Sequence, residues 1–269
     1  MSSVLRMAVL AVAILAASVS VANTLKIGGT GIALGGMSRL GTAFEELNPG
    51  TNIIVLPSLG SSGGIKALLA GATDIGLSSR ELNNAEREAG ALTQIYAYTP
   101  LAVVTSPDSK IDGVTTQDLE AIYSGTMTHW PDGSLVRIVM RPASETDTAL
   151  LRTLSEPMAM AVDSALQRPG LVSATNDQEN AETLEKLPGS IGLVALGQIA
   201  AEGRVLKVLS LNGELPKLDH DFKTESSFAK TLYLVSRQDM SPLANEFIQF
   251  VFSAEGRKIL VAIDHSPVQ

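Results

Sequence analysis

Beyond residue 23 the apolar positions alternate between two periods. Residues 25–28, 52–56 and 74–77 are short apolar runs that read as strands. Met37, Leu40, Phe44 and Leu47 recur at helical spacing until Asn48-Pro49-Gly50 stops them, and Ile65, Leu68 and Leu69 mark a second helix. Each of the three strands runs into a small, hydroxyl-bearing turn: Gly28-Gly29-Thr30-Gly31, then Ser58-Leu59-Gly60-Ser61-Ser62-Gly63-Gly64, then Ser78-Ser79. Strands alternating with helices in this way predict an α/β fold with a parallel sheet, and ligands of such sheets sit at the carboxyl ends of the strands. The three turns are therefore candidate site walls.

Two longer β-prone stretches, 96–105 and 229–236, are expected to cross between two lobes as hinge strands. The chain would leave through the first, build a lobe from 102 to 222, and return through the second. The other lobe is then discontinuous, made of 23–101 and 223–269. Helices are expected at 117–123, throughout 147–166, at 243–252 and at 254–261, with strands at 136–140, 191–195 and 205–209.

The first 22 residues stand apart from this pattern. Arg6 precedes an apolar run over residues 7–17, and Ser20-Val21-Ala22 offers a small-residue cleavage site before Asn23. That arrangement predicts an export signal cleaved near Ala22 and a mature protein in the periplasm. The run is too short for the roughly 20 apolar residues that span a bilayer.

Composition narrows the chemistry. The 269-residue chain has 20 Lys+Arg against 28 Asp+Glu, a net charge of −8, and no basic tract, which argues against binding to nucleic-acid phosphates. It has no Cys, so disulfides, thiolate metal sites and cysteine nucleophiles are excluded. Its three histidines, His129, His220 and His265, are too far apart for a helical ligand pair, and no metal is expected.

Two segments suit an anion. A Gly/Ser turn entering a helix presents backbone N–H groups and the positive end of the helix dipole, so Gly60 to Gly64 can hold an oxyanion without lysine, with Ser61 and Ser62 adding hydroxyls. An ordinary loop with a serine cap explains the same residues. Arg141 follows the strand expected at 136–140 and precedes Pro142-Ala143-Ser144-Glu145-Thr146-Asp147. A guanidinium there suits bidentate contact with an oxyanion. A surface ion pair, with Ser144 and Asp147 as a capping pair, is its structural counterpart. If two lobes face each other, Arg141 and Ser61 meet across the cleft.

Other chemistries compete for these residues. Gly60-Ser61-Ser62-Gly63-Gly64 satisfies G-x-S-x-G, the nucleophile elbow of serine hydrolases, with Ser62 as nucleophile and His220 or His265 as base. Gly29-Thr30-Gly31-Ile32-Ala33-Leu34-Gly35 resembles a dinucleotide fingerprint, but Leu56-Pro57-Ser58 stands where a ribose-binding acid belongs. The phosphate-loop pattern fails because Ala67 follows Lys66.

The chain resembles the periplasmic phosphate-binding proteins of ABC phosphate importers over nearly all of its mature length. The likeness lies in Gly60-Ser61-Ser62-Gly63-Gly64-Ile65-Lys66, in Asp74-Ile75-Gly76-Leu77-Ser78-Ser79, and in Leu119-Glu120-Ala121-Ile122-Tyr123-Ser124-Gly125 leading to Trp130. The resemblance implies a two-lobed Venus-flytrap fold of type II that closes on a dehydrated oxyanion. It implies no cofactor, no catalysis, a monomeric state, and importer membrane subunits as partners. It places Ser61 and Arg141 as phosphate contacts, Thr30 and Gly31 near the first contact turn, and Ser62, Gly63, Ser79, Ser144 and Thr146 around the ion.

Two departures bear on the ligand. Ser79 stands where phosphate-binding members carry an aspartate that accepts the proton of hydrogen phosphate, and Ser144-Glu145-Thr146-Asp147 replaces a Gly-Ser-Gly-Thr turn. Three alternatives stay open on this evidence. Glu145 or Asp147 replaces the acceptor; the ligand is fully deprotonated or a substituted phosphorus compound; or the protein is a sensory or structural relative that transports nothing.

Overall fold

The computed structural model describes residues 23–217 and 228–268. The expected leader over residues 1–22 and its cleavage site lie outside the described residues, as does His220. In chain order the first part holds β1 (Asn23–Gly29), a 3-10 turn (Gly31–Ala33), α1 (Leu34–Leu47), β2 (Thr51–Val55), α2 (Gly60–Leu69), β3 (Ile75–Ser78), α3 (Asn84–Glu88) and β4 (Ala91–Thr105). There follow β5 (Gly113–Val114), α4 (Thr116–Ser124), β6 (Arg137–Met140), α5 (Thr146–Arg152), α6 (Glu156–Leu166), β7 (Val172–Ser173), α7 (Asp177–Lys186), β8 (Ser190–Ala195) and α8 (Leu196–Glu202). The chain ends with β9 (Lys207–Val208), β10 (Ser210–Leu211), β11 (Ala229–Arg237), α9 (Pro242–Phe252), α10 (Ala254–Ala262) and β12 (Ser266–Pro267).

The main sheet runs β2-β1-β3-β11-β4-β8-β6-β7. β1 pairs in parallel with β2 and β3, and β6 pairs in parallel with β7 and β8, so each half has the parallel core the sequence predicts. β4 joins the halves. Its residues Ala91 to Pro100 pair with β11, while Leu101 to Val104 pair with β8. The expected crossing at 96–105 is therefore real. β11, the second expected crossing strand, begins opposite Pro100, and among the described residues it pairs with β4 and β3 of the first half.

Packing explains why these segments hold. α1 buries Met37, Leu40 and Phe44 on one face, and the Phe44 ring meets Phe247 edge-on at 5.3 Å and Phe250 at 5.5 Å, tying α9 to α1. In the second half Val104, Val139, Ala181, Leu184 and Val194 pack between sheet and α7. The helical stretch expected throughout 147–166 is two helices. Ser155 accepts from the Met158 N–H as N-cap of α6, and Pro157 fits that first turn while disfavouring a helix through it from before. The strand expected at 205–209 shrinks to β9.

Candidate anion-binding cleft

The carboxyl ends of the parallel strands converge on one cavity of about 410 Å³. β2 delivers Ser58, β3 delivers Ser79 and Arg80, β6 delivers Arg141, and β7 delivers Thr175 and Asn176. Ser61 and Ser62 line it from α2, Ser144 and Glu145 from the turn before α5, and Thr146 from the first position of α5. Ser61 and Arg141 do line a common cleft, as the two-lobe expectation requires.

On the first wall the donors are peptide N–H groups and hydroxyls, beside one guanidinium, Arg80, that is paired with Glu86. α2 starts at Gly60, so the segment expected as a turn is the helix's own first turn, and no side chain caps it. Its leading N–H groups thus lack an intrahelical or capping partner. Gly64 makes the position possible: a Cβ there would lie 2.4 Å from the Gly29 Cα, so only glycine lets α2 sit this close to β1. The Ser79 N–H donates to Ser61 Oγ at 3.0 Å, and Ser61 Oγ also lies 3.2 Å from Ser79 Oγ. Thr30, buried behind them, donates to Ser79 Oγ at 3.4 Å. Ser62 Oγ accepts from Arg80 Nη2 at 2.9 Å, while Glu86 holds that guanidinium at 2.7 Å. That ion pair holds the Glu86 carboxyl below its usual range, chiefly through the Arg80 hydrogen bond.

The second wall carries full charges in balance. Arg141 is 5% exposed; its Nη1 donates to the Ala174 carbonyl at 2.8 Å, and its Nη2 lies 3.3 Å from Glu145 and 3.4 Å from Asp177. Its Nε is buried without a partner among the described residues, and so is Ser58 Oγ on the facing wall. The Asp177 carboxylate also accepts from the backbone N–H groups of Gly31 and Ile32. Burial pushes this carboxyl above its ordinary range and Glu145 adds to the shift, while Arg141 and the two N–H groups oppose it.

Behind this wall lies an ion pair that sequence reasoning missed. Lys230 of β11 donates to Thr146 Oγ1 and pairs with Asp147, both residues being almost fully buried. Burial pushes the ammonium below its ordinary range; nearby Glu145 opposes the shift, and the Asp147 contact also favours the charged form. Asp147 therefore faces Lys230 and not the cavity, whereas Glu145 is the carboxylate that lines it among the described residues.

Three expected contacts, Thr30, Gly31 and Gly63, fall off the lining, and Thr30 lies behind Ser79. Gly31 gives its N–H to Asp177 and its carbonyl to Gln178 Nε2 at 2.8 Å, so its peptide is engaged by α7. Gly63 turns its Cα toward Leu59 inside the first turn of α2. For the hydrolase expectation, His265 is wholly buried, with its Nδ1 2.7 Å from the Ile263 carbonyl and its imidazole packed on Gly197. Ser62 has a guanidinium and no imidazole as its hydrogen-bond partner among the described residues.

The PBP superfamily domain matches residues 16–255. The chain belongs to the PBP superfamily. It is 26% identical over 229 residues to the phosphate-binding protein PstS of Borreliella burgdorferi, covering 81% of this chain and 80% of that one. It is 37% identical to PstS 2 of Streptococcus pneumoniae, but over 95 residues, or 35% of this chain and 32% of that one. Among solved structures it resembles a phosphate ABC transporter substrate-binding protein of Clostridium perfringens with bound phosphate. The TM-score is 0.75 at 19% identity, covering 92% of this chain and all of that one. An ABC-type phosphate transport receptor from Vibrio cholerae matches with TM-score 0.60 at 20% identity, covering 90% and 99%. These likenesses show the two-lobed α/β fold of that superfamily, in which the cleft described above lies where the two halves of the sheet meet.

Proposed function

We propose that this chain is an exported solute-binding protein that captures phosphate, or a phosphate-like oxyanion, between its lobes and delivers it to the membrane subunits of an ABC importer. The observation that carries the reading is that Arg141, a buried guanidinium whose Nε has no partner among the described residues, lines the same cavity as the uncapped start of α2. A buried guanidinium N–H without an acceptor is costly, and an oxyanion satisfies it together with the helix N–H groups. Relatives named for phosphate binding agree with this chemistry.

Several charge-assisted hydrogen bonds of about 1.5–3 kcal/mol each can offset the dehydration of the ion and leave micromolar affinity, about −8 kcal/mol. At about 410 Å³ the cavity is larger than one tetrahedral ion fills. Full dehydration therefore needs the lobes to approach. The ligand drives that closure only through contacts it gains in the closed form. The hinge lies at Pro100 and Leu101, with 23–101 and 228–268 in one lobe and 102–217 in the other; the boundary expected between 222 and 223 lies outside the described residues. Glu145 favours a ligand that carries a proton, because a carboxylate accepts but does not donate. Hydrogen phosphate meets that demand and sulfate does not.

A thermal-shift panel of phosphate, sulfate, phosphonates, arsenate and molybdate at two pH values tests the reading. Stabilisation by phosphate and arsenate over sulfate, and dependence on pH, is expected; no shift with any oxyanion would reject it. The hydrolase alternative predicts labelling of Ser62 by a fluorophosphonate probe, and no labelling is expected.

A further inference from the structure

Thr146 lines the cavity, and its Oγ1 accepts a hydrogen bond from the Lys230 ammonium. An ammonium has three donors and no acceptor, whereas a hydroxyl has one proton and two lone pairs. The bond occupies one lone pair of Oγ1 and leaves the hydroxyl proton directed elsewhere. The donor is firmly placed, because Lys230 is 3% exposed and its Nζ also lies against Asp147. The opposite wall repeats the device: Arg80, held by Glu86, donates to Ser62 Oγ, and Ser62 lines the same cavity. In each case a carboxylate balances the cation, so the cavity gains an oriented hydroxyl donor without gaining net charge.

We propose that Lys230 is a positioning residue of the anion site: by donating to Thr146 Oγ1 it commits that hydroxyl to giving its own proton to the bound oxyanion. Lys230 does not itself line the cavity; it acts through Thr146. The cooperative polarisation of linked hydrogen bonds strengthens the Thr146 donor further. This inference rests on the oxyanion reading of the cleft and deepens it. It explains why a lysine is buried at the start of β11, beside the junction of the two halves of the sheet. A simple strut between β11 and α5 needs the Lys230–Asp147 pair but does not need Thr146 to be a hydroxyl.

Calorimetric titration of inorganic phosphate into the full chain separates these roles. Thr146→Val, which keeps the shape and removes the hydroxyl, is expected to lower affinity about tenfold, and Thr146→Ser to restore most of it. Lys230→Met combined with Asp147→Asn removes both charges together and avoids stranding one of them. That pair is expected to cost as much as Thr146→Val, and adding Thr146→Val to it to cost little more. Losses that multiply, or a charge-free pair that binds as tightly as wild type, would overturn the relay and leave a strut. If the pair does not fold, Lys230→Gln, whose amide still donates, should retain more affinity than Lys230→Met; equal loss would overturn the relay. Wild-type protein that binds neither phosphate nor sulfate would instead overturn the oxyanion reading, and the relay with it.

Discussion

The two walls of the cleft solve the same problem by different means. The α2 wall offers peptide N–H groups and serine hydroxyls, with its one cation, Arg80, neutralised by Glu86. The Arg141 wall is ionic: Arg141 and Lys230 stand among Glu145, Asp147 and Asp177. Dipolar donors need no counter-charge and stay committed to the ligand. Ionic donors, once buried, bring carboxylates that compete with the ligand for them. The contrast assigns affinity to Arg141, opposition to Asp177, and orientation to the serines.

The largest expected effect comes from removing the cation. Arg141→Met should weaken phosphate binding by at least about 100-fold, roughly 3 kcal/mol, in calorimetry. It should also lower the melting temperature, since Asp177 and Glu145 lose their partner. A variant that binds normally would break the comparison by moving affinity to the other wall.

Next is the competitor. Asp177→Asn should tighten phosphate binding by about tenfold, because it withdraws a negative charge beside Arg141. The pH dependence has a definite sign. Burial raises the folded-state pKa of Asp177 above its unfolded value. The stability linked to its protonation is thus fully present below the ordinary aspartate range and lost as pH rises through the folded value. Asp177→Asn should flatten that part of a stability profile measured by denaturant titration. An unchanged profile would remove Asp177 from the account.

A smaller change is expected on the dipolar wall. Ser61→Ala deletes one hydroxyl and the acceptor of the Ser79 N–H, and should weaken binding about fivefold, near 1 kcal/mol. A hundredfold loss would mean the two walls are energetically alike. The smallest effect is kinetic. With a net charge of −8 the surface slows an incoming anion, so moderate salt should raise the stopped-flow on-rate by roughly twofold. A fall with salt would contradict that steering.

The legibility of the two walls in sequence differs for the same physical reason. Local signals reveal the α2 wall: glycines and serines between a strand and a helix announce exposed N–H groups, and Ser61, Ser62 and Ser79 do line the cavity. Arg141 shows itself by following a strand. Glu145, four residues on, is equally visible, whereas Asp177 and Lys230 come from distant segments. Lys230 sits 84 residues from Thr146, inside a strand that reads as simply β-prone, and nothing near it in sequence announces a charge partner. Asp177 begins α7, whose signature was available as Asn176 followed three residues later by Glu179, the Asn176 side chain accepting from the Glu179 N–H. Ala181 and Leu184 then supply only a narrow apolar stripe, too weak to mark the helix by periodicity. Gly31 reads as a contact because its turn is small, but tertiary packing gives its peptide to α7.

The central claim is that one tetrahedral anion bridges the start of α2 and Arg141. Crystals grown with sodium arsenate and measured at the arsenic absorption edge test it most directly. An anomalous peak within hydrogen-bonding distance of both the Ser61–Ser62 backbone and the Arg141 guanidinium is predicted. A well-ordered arsenic bound only elsewhere on the molecule, with the cleft holding nothing but water, would contradict the account.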